Sequence, residues 1–193
     1  MKTPLQEAIE CLQIRDVFLR RSAAWLADGF DPKYDIADAL EAQFKHVVMQ
    51  GEVLEIAEDG EKQRVFRVYI DLGTRFVVPA DAGNGKKKRR SRKTEPPAEP
   101  DVKAQIEAVM VAEYLLKAEP RREALDAFAQ QNASYHVWPY WREFVMSQCS
   151  RMNLPKLAIP TVQFPQKRTR GPDTKEEQHI AASEQGVSLT AQS

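Results

Sequence analysis

Two long runs of alternating apolar and polar residues meet at Glu58-Asp59-Gly60-Glu61, and this junction constrains the fold more than any other stretch of the chain. Successive side chains of a strand point to opposite faces, so a period of two marks an extended segment with one buried side. Before the junction Leu40, Ala42, Phe44, His46 and Val48 alternate with Glu41, Gln43, Lys45 and Val47, and Val-Leu-Glu-Ile-Ala continues the pattern. Beyond it, residues 63–79 place Phe66, Val68, Ile70 and Leu72 on one face. The acidic-glycine junction is a hairpin connection, so two long antiparallel strands are expected. Gly73 marks a bulge or a local bend, and Pro79 ends the run.

A two-stranded hairpin is marginal in water and needs further partners. In residues 102–117 Val102, Ala104, Ile106, Ala108, Met110, Ala112 and Tyr114 alternate with Lys103, Gln105 and Glu107, while the alanines, glutamates and leucines favour a helix. The length of the alternation and the need for a third strand decide for strand. Residues 4–19 fit a short helix or a strand, and a strand over residues 12–21 is the reading adopted. Residues 20–38 carry Gly29, Pro32 and four aspartates with no period, so they read as a long connection. That connection holds Trp25, Phe30 and Tyr34, which are binding anchors if exposed and core cover if not.

Past Pro120, residues 121–131 read as a helix with Leu125 and Phe128 inward and Asn132 as a left-handed cap. Pro139 loses a backbone donor inside a helix but suits its first position, so a second helix is expected to start there. From that start Trp141, Phe144, Val145, Cys149 and Met152 form one apolar stripe, the usual mark of core. Residues 153–164, with two prolines among apolar residues, read as extended chain.

Two stretches differ in composition. Residues 80–101 pass from small turn formers through Lys86, Lys87, Lys88, Arg89, Arg90, Arg92 and Lys93 to acidic residues among prolines, the signature of a disordered loop. The cations would suit phosphates or an acidic partner, but no aromatics interleave to stack on bases, which favours a solvated insertion over nucleic-acid binding. Residues 165–193 are polar and aperiodic and read as a disordered tail.

At 193 residues and 42% apolar composition the chain suits one core with appendages. Its 28 Lys and Arg balance 28 Asp and Glu, so no global field draws it to nucleic acid. Cys11 and Cys149 stand far apart without a CxxC, and no long apolar run is present, so a reducing cytoplasm without membrane insertion is expected. No phosphate loop, nucleophile elbow or HExxH motif occurs. His46, His136 and His179 have no thiol or carboxylate at ligand spacing, and the rhythmic Glu52, Glu55, Glu58 and Glu61 would lie on alternating strand faces. No metal, no cofactor and no enzymatic chemistry are expected.

Residues 139–164 resemble the C-terminal helix and extended strip of the SecB protein-export chaperone family: Pro139-Tyr140 opening the helix, Arg142-Glu143 following, Arg151 near its end, then Pro155, Leu157, Val162 and Phe164. The upstream order of strands and crossover fits the same family in pattern. The resemblance implies an α+β fold, a four-stranded antiparallel sheet with C-terminal helices packed on one side. It divides the chain into an N-terminal segment 1–11, a chaperone domain 12–164 bearing the insertion 80–101, and the tail 165–193. It further implies a cytosolic homo-oligomer, dimer or tetramer, that holds unfolded or partly folded polypeptides for export or for a dedicated client, with no cofactor. Client contacts would fall on Trp25, Phe30, Tyr34, Val162 and Phe164, and subunit contacts on Tyr140, Trp141, Phe144, Val145 and Met152. The basic residues 86–93 depart from the family pattern and bear on docking to the SecA motor.

Overall fold

The hairpin turn sets the register of the sheet. Asp59 and Gly60 both adopt positive φ, 51° and 84°, the left-handed pair whose twist matches the strands it joins. From it β2 (Glu41–Glu58) and β3 (Glu61–Val78) run antiparallel, pairing from Glu58 with Glu61 to Glu41 with Val77. The remaining elements of the computed structural model, which describes residues 2–35, 40–79 and 100–159, are α1 (Pro4–Cys11), β1 (Leu12–Leu26), β4 (Asp101–Leu116), α2 (Arg122–Gln131) and α3 (Ala133–Arg151). The strands form one antiparallel sheet in the order β1-β4-β3-β2. The expected α+β class and four-stranded sheet are thus present, with period winning over helix propensity in β4.

One face of the sheet is covered by the helices. Its central rungs carry Phe66, Val68, Ile70, Leu72 and Phe76 of β3 against Ala104, Ile106, Ala108, Met110, Ala112 and Tyr114 of β4, all buried. The alanines leave room for α3, whose Val137, Trp141, Val145 and Cys149 are buried at helical spacing. The other face is open. Its rungs read Phe18, Val111, Tyr69 and Gln50, then Asp16, Glu113, Arg67 and Glu52 across the four strands.

Three boundaries and one expected bulge differ from expectation. A helix, α1, precedes the first strand: Pro4 takes its first turn, and Thr3 and Gln6 form a reciprocal capping box. Glu7 of α1 then accepts the Arg121 amide at 2.9 Å and its guanidinium at 2.6 Å, capping α2 from outside. Strand β1 runs on to Leu26, so Trp25 lies on a strand rather than in the connection. Gly73 lies in regular pairing with Lys45 and Glu107; the register shifts fall elsewhere, leaving Arg15, Arg20, Met49 and Lys103 as extra residues. Helix α3 begins at Ala133, with Pro139 inside it. Its early turn is held by contacts from distant strands: Ser134 Oγ lies 2.7 Å from His46 Nε2, and His136 Nδ1 2.9 Å from the Tyr114 hydroxyl.

Asn132 caps no helix in a left-handed conformation (φ −126°); Asn153 does so (φ 54°), with the Leu154 amide donating to the Cys149 carbonyl at 2.9 Å. The chain then extends, and Leu154, Leu157 and Ile159 insert into the core.

Candidate functional site

The crossover aromatics lie in three different settings. Trp25, opposite Gln105, stands on the open face and is 41% exposed. Phe30 is half-buried against the core, held by a turn in which its amide donates to the Ala27 carbonyl at 3.1 Å while the Ala27 amide donates to the Lys103 carbonyl. Tyr34 is exposed, its ring approached by Lys33 Nζ at 5.3 Å. Phe30 lines a cleft of about 240 Å³ with Asp28, Gly29, Asp35, Leu40, Val78 and Lys103. Val162 and Phe164 lie outside the described residues, as do Lys86, Lys87, Lys88, Arg89, Arg90, Arg92 and Lys93 with the whole basic stretch.

The two sheet edges differ in how they are protected. A free edge presents unpaired backbone groups, and bulges and inward-turned charges blunt it. At β1 the extra residues are both arginines folded across the open face: Arg15 reaches Glu58 at 2.7 Å and Glu113 at 3.3 Å, and the Arg20 guanidinium lies 5.4 Å from the Tyr69 ring. Arg67 joins them, bonding Glu113 at 2.6 Å and lying 5.8 Å from the Phe18 ring. Arg20 and Arg67 thus lie over the rings of Tyr69 and Phe18, and Phe18 packs on buried Tyr69, Val109 and Val111. At β2 the extra residue is Met49, and Phe44, Val47, Met49 and Val53 are all exposed along the edge. Lys45 is the one cation between Phe44 and Val53, and it is engaged by Asp71 at 2.6 Å, which with hydrogen bonding raises its pKa. The β2 edge is therefore an apolar template for an added strand. Alternation marks β2 as a strand, but its place at the edge follows only from pairing among all four strands.

Helix α3 presents Tyr135, Tyr140 and Met146 to solvent, and Met146 lines a shallow depression with Pro139, Arg142, Glu143 and Ser147. Of the residues expected at a subunit interface, Tyr140 is 51% exposed. Trp141 and Val145 are fully covered by the chain's own sheet, and Phe144 and Met152 pack half-buried on the same core, Phe144 stacked on Trp141 at 6.0 Å between ring centres. A side chain already covered within one chain has no surface to offer a second, which corrects the expectation for Trp141 and Val145.

The buried titratable groups have structural partners. Burial pushes the Cys149 thiol up to about 11, far from thiolate reactivity, and raises the Tyr114 phenol as well. Among the described residues no three His, Cys, Asp or Glu side chains gather as metal ligands, and no helix is long and apolar enough to cross a membrane.

This four-stranded antiparallel sheet with helices on one face is similar to the fold of a solved SecB-like chaperone. The Mycobacterium tuberculosis Rv1957 SecB-like chaperone, solved in complex with a ChAD peptide from the Rv1956 HigA1 antitoxin, matches with a TM-score of 0.54 and 20% identity over 84% of this chain and 99% of that one. No family model and no curated protein sequence matches the chain.

Proposed function

We propose that the protein is a holdase that binds non-native polypeptide and keeps it from folding or aggregating. The observation that carries this reading is β2, an edge strand of the sheet among the described residues, along which Phe44, Val47, Met49 and Val53 are exposed. Main-chain pairing suits clients of unrelated sequence, because it reads the backbone and leaves side chains to adaptable apolar contacts. The crossover supplies further apolar surface at Trp25, Phe30 and Tyr34, and Val162 and Phe164 extend the client contacts. Support also comes from the fold, since the similar mycobacterial chaperone is described with a bound antitoxin peptide.

Two clienteles fit this fold: exported polypeptides in general, with SecA as a downstream partner, or one dedicated client. A homo-oligomer, dimer or tetramer, would multiply the edges available to a long chain. In that assembly the outer face of α3 around Tyr140 supplies the contact, with Phe144 and Met152 behind it. The test is aggregation of chemically unfolded, unrelated proteins diluted into buffer with the purified protein. Suppression across several clients supports a general holdase, suppression of one supports a dedicated chaperone, and none at several-fold excess defeats the proposal.

A further inference from the structure

Among the described residues β2 is an edge strand, and it is not uniform along its length. The register shift at Met49 divides it into residues 41–48 and 50–58, each in regular pairing with β3. A bulge bends and twists the strand that carries it, so an added strand that follows one half in register loses its pairing at Met49. The two halves also differ in charge. Residues 43–48 read Gln-Phe-Lys-His-Val-Val, with Lys45 as the one Lys, Arg, Asp or Glu side chain, whereas residues 50–58 carry Glu52, Glu55 and Glu58. Tyr69 holds Glu52 and Arg15 holds Glu58. Glu55 stands in solvent, 65% exposed and 4.0 Å from Lys62, and an added strand there would strip water from a charge.

Lys45 would guard the first half in the same way if it pointed outward. Instead its ammonium reaches Asp71 of β3 at 2.6 Å and Glu107 of β4 at 3.8 Å, both on the inner side of β2. Gly73 makes this course possible. A Cβ placed there would lie 3.3 Å from Lys45 Cβ and 3.5 Å from its Cδ, so a branched side chain at this position would take the space that the lysine stem crosses. Gln43, Arg75 and Gln105 complete, with Gly73 and Glu107, the lining of a hollow of about 240 Å³ beside that stem.

We propose that residues 43–48 are the strand-accepting segment of the protein, ended by the Met49 bulge, and that Gly73 keeps this segment free of charge by letting Lys45 fold inward over the sheet. This rests on the holdase reading and narrows it: the occupant is an extended client segment of about six uncharged residues, roughly 20 Å of strand. Its side chains alternate between the face of Phe44, His46 and Val48, which is the helix-covered one, and the open face of Gln43, Lys45 and Val47. Gly73 acts as a positioning residue through Lys45 and touches no client.

The test measures the affinity of the full chain for two probes, a chemically unfolded protein and a labelled peptide of about eight residues that alternates valine and threonine. The wild type is expected to bind both. V47K is expected to weaken peptide binding about fivefold, and V53K, beyond the bulge, less than about twofold. G73V, which drives Lys45 outward, is expected to weaken it about fivefold, and K45M added to G73V to restore it. No loss in V47K, an equal loss in V53K, no loss in G73V, or a G73V loss that K45M leaves in place overturns the proposal. Binding of the unfolded protein without the peptide also overturns it and leaves the holdase reading standing, whereas binding of neither defeats both. Should a variant not fold, hydrogen exchange of the wild type with the peptide decides: added protection at residues 43–48 above that at 50–58 supports the segment, and equal or reversed protection overturns it.

Discussion

Gly51 lies in β2 where the Phe66 ring crosses it, and a methyl group there would come within 2.7 Å of the ring carbon Cζ. Because Phe66 is buried, the ring has no free space to retreat into. Gly51→Ala is expected to lower stability by about 1–3 kcal/mol in urea unfolding, the range for overpacking a core. Glu113 is the matching case on the open face: its 5% exposed carboxylate is bonded by Arg67 and Arg15, both partly in solvent. Glu113→Gln removes the charge that holds two guanidiniums, and solvent screening of the arginines limits the loss to about 2 kcal/mol. The same unfolding measurement checks it, with Asp71→Asn, whose partner Lys45 is more exposed, expected to cost less.

At the scale of elements, α3 divides into a face that folds the chain and a face that is free. Trp141→Ala is expected to cost about 3–5 kcal/mol, as for other buried aromatics. Tyr140→Ala and Met146→Ala should stay within about 0.5 kcal/mol in stability, while lowering the molecular mass in solution if this face joins subunits. The stripe of α3 was readable from its spacing, yet spacing does not say whether the covering surface is the chain's own sheet or a second subunit. The helix start was hidden for a related reason: the contacts that hold the turn before Pro139 come from His46 and Tyr114, distant in sequence. Strand β1 was hard to follow because Ser22, Ala23 and Ala24 at an exposed edge have no buried side to impose alternation. In β3 and β4 burial of the face beneath the helices underlies the alternation, whereas in β2 the period stands although only Ala42 is buried. Helix α1, left open between helix and strand in the sequence, had an unused signal in Thr3, Pro4 and Gln6, a capping box with proline at the first turn.

The whole molecule combines a covered face, a polar open face and two unequal edges. Arginine-bearing bulges guard β1, whereas among the described residues β2 is an edge strand with exposed apolar side chains, a hazard for aggregation unless an added strand is its use. The crossover aromatics were visible in the sequence as candidates, but the β2 edge was not, since strand order emerges only when all four strands pair. The most direct test is the affinity for an unfolded, non-aggregating polypeptide, measured for the wild type and a V47K/M49K variant of equal stability. Charges at the edge are expected to weaken binding about tenfold, equivalent to about 1.4 kcal/mol. Equal affinities in the two proteins, or no binding by the wild type, would contradict a chaperone that works through this edge.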